Sequence, residues 1–368
     1  MTDAHQTNGA TPMTLPGRYY YDPAVYEAEK EQIFYRTWQY VGHVSLLSQP
    51  SQYLVRDIGD QSVFVLRDTA GELRAFFNVC QHRAHRLLEG EGSLSKLITC
   101  PYHAWCYQQD GSLCVARGTE HIPSFDRNSV RLKAVRLESL CGFLFVNLDD
   151  KAPSLAEQTP GLEAEMRAFA PEAEQLQTSN RYFIPLKANW KNSIENFAEC
   201  YHCPGQHPTL TQNALDLGTY KIECLDNYHV HRSRDKGDDM GYHIERDALP
   251  QPDEFRSFYI WPNTVIEVYP GHNLTVFHHV PVGPEETHHA MEWYFPSAEP
   301  TAEQQAVVDF VHQVRIEDVP ICESVQKGLH SKGYQRGHLI LDPDQSDVSE
   351  HAVFHFQQKI AQALSLPS

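Results

Sequence analysis

Four residues constrain this chain more than any others: Cys80, His82, Cys100 and His103. They lie in CQHRAHRLLEGEGSLSKLITCPYH, residues 80–103, as C-x-H, seventeen residues, then C-x-x-H. Short β-branched or alternating runs surround them: SQYLVRDI, QSVFVLRD, LRAFFNV, KLITC, WCYQQ and GFLFVNL. Gly, Asp and Asn punctuate these runs, and YQQDGSLC carries a hairpin signal. Any fold of this segment places the two Cys/His pairs on neighbouring loop tips of a small antiparallel β domain. There the four side chains can converge.

Two thiolates and two imidazoles can hold zinc. They can also hold a [2Fe–2S] cluster, with Cys on one iron and His on the other. Zinc sites commonly pair like with like, as C-x(2–4)-C and H-x(3–5)-H. Here each loop supplies one ligand of each type, which suits a binuclear cluster because each loop then feeds both irons. A structural zinc site is the alternative. His85 reads as a supporting or surface residue.

Composition narrows the partners. A net charge of −18 and a pI near 5.5 disfavour a nucleic-acid partner. The longest apolar run, LCGFLFVNL (140–148), is too short to span a bilayer. No basic segment followed by an apolar stretch marks a signal peptide. The nine cysteines show no disulfide framework, so a reducing, cytoplasmic compartment is expected, where Cys/His clusters more often bind metal.

The remaining chain mixes helix and strand. Residues 1–17 are expected to form a disordered tail. DPAVYEAEKEQIFYRTW (22–38) has helical periodicity behind an Asp cap. Residues 154–176 read as an acidic helix, and helices are expected at about 187–203 and 301–330. Strands fall between about 256 and 296.

A second constellation lies in NWKNSIENFAECYHCPGQHPTL (189–210). His202 and His207 are five apart, and Pro204 and Gly205 are expected to break a helix between them. A carboxylate would complete a 2-His-1-carboxylate face with open positions for Fe(II) chemistry. RIEDVPICESVQKGL (315–329) offers Glu317, Asp318 and Glu323. Glu199 lies one helical turn before His202, and Glu195 about two turns before it.

CPYHAW resembles the second cluster loop of the Rieske iron–sulfur domain. CQHRAH resembles its first loop, with Ala84 where Gly is more usual. From about residue 18 to 365 the chain resembles the catalytic α-subunit of Rieske non-heme iron oxygenases. That resemblance implies an α+β fold. An all-β Rieske [2Fe–2S] domain (40–150) is inserted ahead of a helix-grip-like antiparallel-sheet catalytic domain (151–368). A helix within 18–39 belongs to the catalytic part.

It also implies the cluster on Cys80, His82, Cys100 and His103, and mononuclear Fe(II) on His202, His207 and Asp318, with O2 as co-substrate. The family match selects Asp318 over Glu317. Glu199 is implied as the link from the Rieske histidine of one subunit to the iron ligand of the next, where Asp is more usual. An oligomer follows, typically a homotrimer, served by a separate flavin/[2Fe–2S] NAD(P)H reductase. The chain itself carries no Gly-rich NAD fingerprint.

NWKNSIENFAECYHC, ESVQKGLHSKGY and SEHAVFHFQ resemble the carnitine, glycine-betaine and choline oxygenases. The expected reaction hydroxylates a C–H next to a quaternary nitrogen, giving C–N cleavage or N-demethylation. An aromatic cage would hold such a cation by cation–π contact. Tyr259, Trp261, Tyr269 and Tyr201 are its candidates, and SFYIWPNTVIEVYPGHN (257–273) supplies most of them. Plain core packing explains the same aromatics. The alternatives are an aromatic ring-hydroxylating oxygenase on the same scaffold and an electron carrier without the second iron. Cys200 and Cys203 receive no role.

Overall fold

The computed structural model describes residues 12–237, 242–243 and 253–366. The chain divides into two compact units. One is Phe34–Gln158 with Glu174–Gln177; the other is Met1–Ile33, Thr159–Ala173 and Thr178–Ser368.

The smaller unit is all-β apart from short helical turns. Its strands are β1 (Gln39–His43), β2 (Gln52–Ile58), β3 (Gln61–Arg67), β4 (Leu73–Phe77), β5 (Glu91–Ser93), β6 (Ile98–Thr99), β7 (Cys106–Tyr107), β8 (Leu113–Val115), β9 (Ala134–Leu140) and β10 (Phe143–Asn147). Seven form one antiparallel sheet in the order β1-β10-β9-β4-β3-β2-β5, and β6-β7-β8 form a second. Alternation in β3 and β4 turns Phe64, Leu66 and Phe76 onto one face, where they pack with Ile98, Tyr107 and Leu113. The β7–β8 turn closes as its sequence asks: Asp110 accepts from the Ser112 amide (2.8 Å), and Gly111 takes φ +85°. The unit reaches past the expected 40–150 span because its flanks bond into it. Trp38 Nε1 donates to the Pro153 carbonyl (3.1 Å), and the Leu155 amide donates to Glu138 (2.7 Å).

The larger unit is built on one antiparallel sheet. Its strands are β11 (Gln177–Leu186), β12 (Leu215–Cys224), β13 (Tyr228–Asp235), β14 (Glu254–Ile260), β15 (Thr264–Tyr269), β16 (Asn273–Gly283) and β17 (Glu286–Phe295). The order is β11-β17-β16-β15-β14-β13-β12, so β12 to β17 run as a meander. The helices are α1 (Pro23–Glu29), α2 (Leu155–Gln158, in the smaller unit), α3 (Leu162–Phe169), α4 (Trp190–Phe197), α5 (Cys203–Gln206), α6 (Ala302–Leu329) and α7 (His351–Ala363). A capping box starts α6: Thr301 accepts from the Gln304 amide (3.2 Å), and Gln304 accepts from the Thr301 amide (2.9 Å). Val307, Val311, Val314, Asp318 and Cys322 recur at helical spacing on its buried face.

Three expectations need correction. The helix expected at 22–38 ends at Glu29 and continues as a wider π turn over Lys30–Phe34. The acidic segment 154–176 is two short helices and a 3₁₀ turn rather than one helix. Of the expected tail 1–17, residues 1–11 lie outside the described residues. Within the rest, Leu15 is buried and its amide donates to Gln357 (2.9 Å).

A polar network backs α4. Tyr20 donates to Glu195 Oε1 (2.6 Å), which also accepts from Gln357 (3.0 Å). Lys191 pairs with Glu29, which also accepts from Trp190 Nε1 (2.8 Å). Burial, outweighing these hydrogen bonds, pushes the Glu195 carboxyl up to about 7. The folded protein therefore holds a proton that the unfolded chain has lost above its ordinary value. The contribution of Glu195 to stability falls as pH rises from about 4.5 to 7 and is level beyond. Glu195→Gln keeps an acceptor and removes the proton. Its stability relative to wild type is expected to rise between pH 5 and 8 by roughly 1–3 kcal/mol. Urea unfolding at both pH values checks this; identical pH slopes would show an ionised Glu195.

Candidate metal centres and cavity

The two cluster loops are built alike. Cys80 N donates to His85 O (2.9 Å) and Ala84 N to Cys80 O (3.0 Å). In the second loop, Cys100 N donates to Trp105 O (2.8 Å) and Ala104 N to Cys100 O (3.1 Å). Each turn needs a left-handed residue, and Ala84 (φ +57°) and Ala104 (φ +58°) take those positions. This explains why Gly suits position 84 and why Ala there costs only about 1 kcal/mol.

The loops bury the thiols of Cys80 and Cys100 and leave His82 exposed and His103 partly so. The rings of His82 and His103 lie 4.7 Å apart, and His82 stacks on Trp105. Tyr107 OH lies 3.3 Å from Cys80 Sγ. Burial pushes the Cys80 thiol up. The Nδ1 of His103 has no partner among the described residues. Among the described residues, no three of these four donors fall within 4.8 Å of one another. One tetrahedral zinc needs donors closer than that. Inner sulfurs and outer imidazoles fit a two-iron cluster, whose ligands are spread over two metals. His85 lies beside them, its ring 5.9 Å from Tyr102.

In the larger unit His202, His207 and Asp318 converge. Asp318 Oδ1 is 3.0 Å from His207 Nε2 and 3.5 Å from His202 Nε2; the two Nε2 atoms are 3.2 Å apart. Each imidazole turns its other nitrogen to a carboxylate: His202 Nδ1 to Glu199 Oε1 (2.5 Å) and His207 Nδ1 to Glu317 Oε2 (2.8 Å). Such partners fix which nitrogen faces a metal. Burial opposes charge here, but Asp318 and Glu199 push the His202 imidazole up to about 10. The Asp318 carboxyl is held well below its ordinary range by the two histidines, against burial. The donor set thus demands positive charge, and two nitrogens with one carboxylate oxygen fit Fe(II).

The local chain path differs from expectation. Helix α4 stops at Phe197, so Glu199 and His202 are not on it; His202 instead caps α5, and Pro204 lies inside that helix. Glu199 reaches His202 through a turn, accepting from the amides of Tyr201 and His202. Glu195 remains on α4 with Tyr20. Glu317 points about 100° around α6 from Asp318, which is why it meets Nδ1 rather than Nε2 of His207. Glu323 accepts from the Lys187 amide (3.2 Å) and takes no part. Cys200 and Cys203, to which the sequence assigned no role, form a disulfide that brackets His202.

A cavity borders the three donors. Tyr220, His231, Phe255, Glu267, Tyr269 and Arg315 line it, beside Glu199. Glu267 is buried and accepts from Arg315 (2.6 Å) and Thr275 (3.3 Å). Arg315 lies over the Phe277 ring at 4.4 Å, and its Nε has no partner among the described residues. Burial holds His231 neutral, pushed down to about 3, and its Nδ1 meets Tyr220 OH at 2.7 Å.

Of the aromatics singled out in the sequence, Tyr269 lines this cavity; the others do not. Tyr259 shares its strand face but donates to the Pro262 carbonyl (2.7 Å) and packs against Phe356. Trp261 sits in the β14–β15 turn against Phe356 with Lys359 over its ring. Tyr201 is 53% exposed. Phe258, on the opposite face of β14, is fully buried. Two signals could have found the missed residues. Glu267 is a charge inside the apolar strand TVIEVY, and Arg315 lies three residues before Asp318 on one helix face.

Comparison with known proteins agrees with this geometry. Residues 37–126 match the Rieske [2Fe-2S] domain, and residues 172–366 match the ring hydroxylating alpha subunit catalytic domain. The chain is 38% identical to the carnitine monooxygenase oxygenase subunit of Escherichia coli (strain K12), over 95% of this chain and 93% of that one. It is 31% identical to the chloroplastic choline monooxygenase of Amaranthus tricolor, over 96% and 78%. A crystallised quaternary ammonium Rieske monooxygenase, CntA, superimposes with a TM-score of 0.88 at 34% identity, covering 97% and 96%.

The chain belongs to the Rieske non-heme iron oxygenases, as a catalytic subunit of the ring-hydroxylating α type. It is an oxidoreductase whose cofactors are a Rieske [2Fe–2S] cluster and a mononuclear iron, with O2 as co-substrate. No helix among the described residues is long and apolar enough to cross a membrane.

Proposed function

We propose that this enzyme hydroxylates a C–H next to the nitrogen of a quaternary ammonium acid of the carnitine or betaine type. The observation that carries the reading is the cavity beside His202, His207 and Asp318, which joins aromatic faces to a buried Arg315–Glu267 pair. Tyr220, Phe255 and Tyr269 offer rings to a trimethylammonium group, a contact worth ~2 kcal/mol when desolvated. The Nε of Arg315, without a partner among the described residues, offers a donor to a substrate carboxylate. The named relatives that act on carnitine and choline support the same class.

Cys80, His82, Cys100 and His103 would hold the cluster; His202, His207 and Asp318 would hold the iron. When bound, the iron supplies O2 activation. Glu199 and Glu317 keep the Nδ1 protons of the two histidines in place. A separate flavin/[2Fe–2S] reductase supplies two electrons from NAD(P)H, so one oxygen atom enters the substrate and the other leaves as water. The hydroxylated carbon then releases its nitrogen, as trimethylamine from a backbone carbon or with formaldehyde from a methyl. Glu199 would couple the cluster of one subunit to the iron of the next in a cytoplasmic homotrimer. The CntA structure bears on inter-subunit electron transfer, which supports that arrangement.

Iron-replete enzyme, a surrogate reductase, NADH and O2 test the reading against carnitine, γ-butyrobetaine, glycine betaine, choline, stachydrine and benzoate. Trimethylamine, or a demethylated amine with formaldehyde, is expected by mass spectrometry. Hydroxylated benzoate with inert ammonium compounds would overturn it.

A further inference from the structure

The larger unit gathers a second set of ligand-type side chains that the reaction does not use. Cys224 ends β12, and His229 lies directly opposite it in the antiparallel register of β13. His355 comes from α7. A donor atom from each lies within 4.8 Å of the other two. His229 Nε2 and His355 Nδ1 are 2.8 Å apart. His229 is buried and the other two are partly so, and none of the three lines the catalytic cavity.

The geometry points to a zinc site on Cys224, His229 and His355, with a fourth position open to water. One thiolate and two imidazoles select a borderline-soft divalent ion over magnesium or calcium. Burial favours the neutral form of both imidazoles, the form that ligates. The Cys224 proton leaves to solvent as the zinc–sulfur bond forms. Lys359, whose charge reaches both imidazoles, is held by Asp226 (3.0 Å) and Asn227 (2.7 Å).

Such an ion would clamp α7 to the β12–β13 hairpin. Two residues along β13, on the same face, His231 lines the catalytic cavity. On α7, Phe356 packs on Trp190, Tyr259 and Trp261. The site therefore fixes one wall of the substrate cavity without touching substrate.

The test uses enzyme with both iron centres loaded, dialysed against excess Zn2+ and freed of loose metal by gel filtration. About one zinc per chain is expected beyond the iron. Zinc-edge X-ray absorption should show one sulfur at about 2.3 Å with nitrogens near 2.0 Å. Cys224→Ser and His355→Ala should weaken zinc retention by at least ~10-fold with iron unchanged. His207→Ala should keep the zinc. Zinc without sulfur that vanishes in His207→Ala, zinc bearing two sulfurs, or no retained zinc would each overturn the site. Should the Cys224 or His355 variants fail to fold, the sulfur count in the wild-type enzyme decides alone.

Discussion

Asp318→Ala enzyme is expected to purify with its Rieske cluster intact, without its mononuclear iron, and with turnover reduced by well over ~100-fold. Asp318 Oδ1 faces both Nε2 atoms and supplies the negative charge at their meeting point. Without it only the two imidazole nitrogens face the ion, a weak site for a divalent metal. The smaller unit holds the cluster ligands within its own fold, so the visible and EPR signature of the cluster should persist. Glu317→Ala is the matched control. Glu317 meets the iron site through the far nitrogen of His207 and otherwise accepts from Gln313 (3.1 Å), so its loss should cost roughly 10–100-fold in iron affinity or rate. Iron analysis and the EPR of a nitric oxide adduct read the mononuclear centre directly. Normal iron in Asp318→Ala with loss in Glu317→Ala would exchange the two roles.

That pair shows how far the sequence speaks. Neighbours on a helix differ by about 100° in direction, so IED alone cannot say which carboxylate faces inward. The resemblance chose Asp318, and the packing of α6 explains why: Val307, Val311, Val314 and Asp318 share its buried face. The cluster loops were legible because their chemistry is local. Two C-x(1–2)-H pairs and their left-handed alanines sit within one stretch of chain.

The cavity was far less legible. Its walls include β12, β13, β14, β15 and α6, so Tyr220, His231, Phe255 and Glu267 meet only through sheet register, and Arg315 joins them only through the packing of α6. Aromatic density around Tyr259 and Trp261 gave a false lead, because that end of β14 serves the packing of α7. The chain path at Glu199 misled for a related reason. Apolar periodicity continues past Phe197, but Ala198 leaves helical geometry and the segment to His202 closes on the Cys200–Cys203 link instead.

Glu199→Ala is expected to leave both iron centres loaded and the cluster reducible, yet slow cluster reoxidation with substrate and O2 by ~10–100-fold. Glu199 does two things that can be separated. Its carboxylate holds His202 Nδ1, fixing the tautomer, and its Oε2 accepts from the His202 and Tyr201 amides, fixing the turn. Glu199→Gln retains an acceptor for Nδ1 and loses only the charge. If the charge tunes electron delivery, Glu199→Gln should resemble Glu199→Ala in reoxidation rate while keeping wild-type iron content. If the residue merely shapes the turn, Glu199→Gln should behave as wild type and Glu199→Ala should lose iron. Glu199→Asp keeps the charge on a shorter arm and should recover part of the rate. Stopped-flow bleaching and recovery of the cluster band, run beside iron analysis, separates these outcomes. Reoxidation at the wild-type rate in all three variants would remove Glu199 from the electron path and leave it a support for His202.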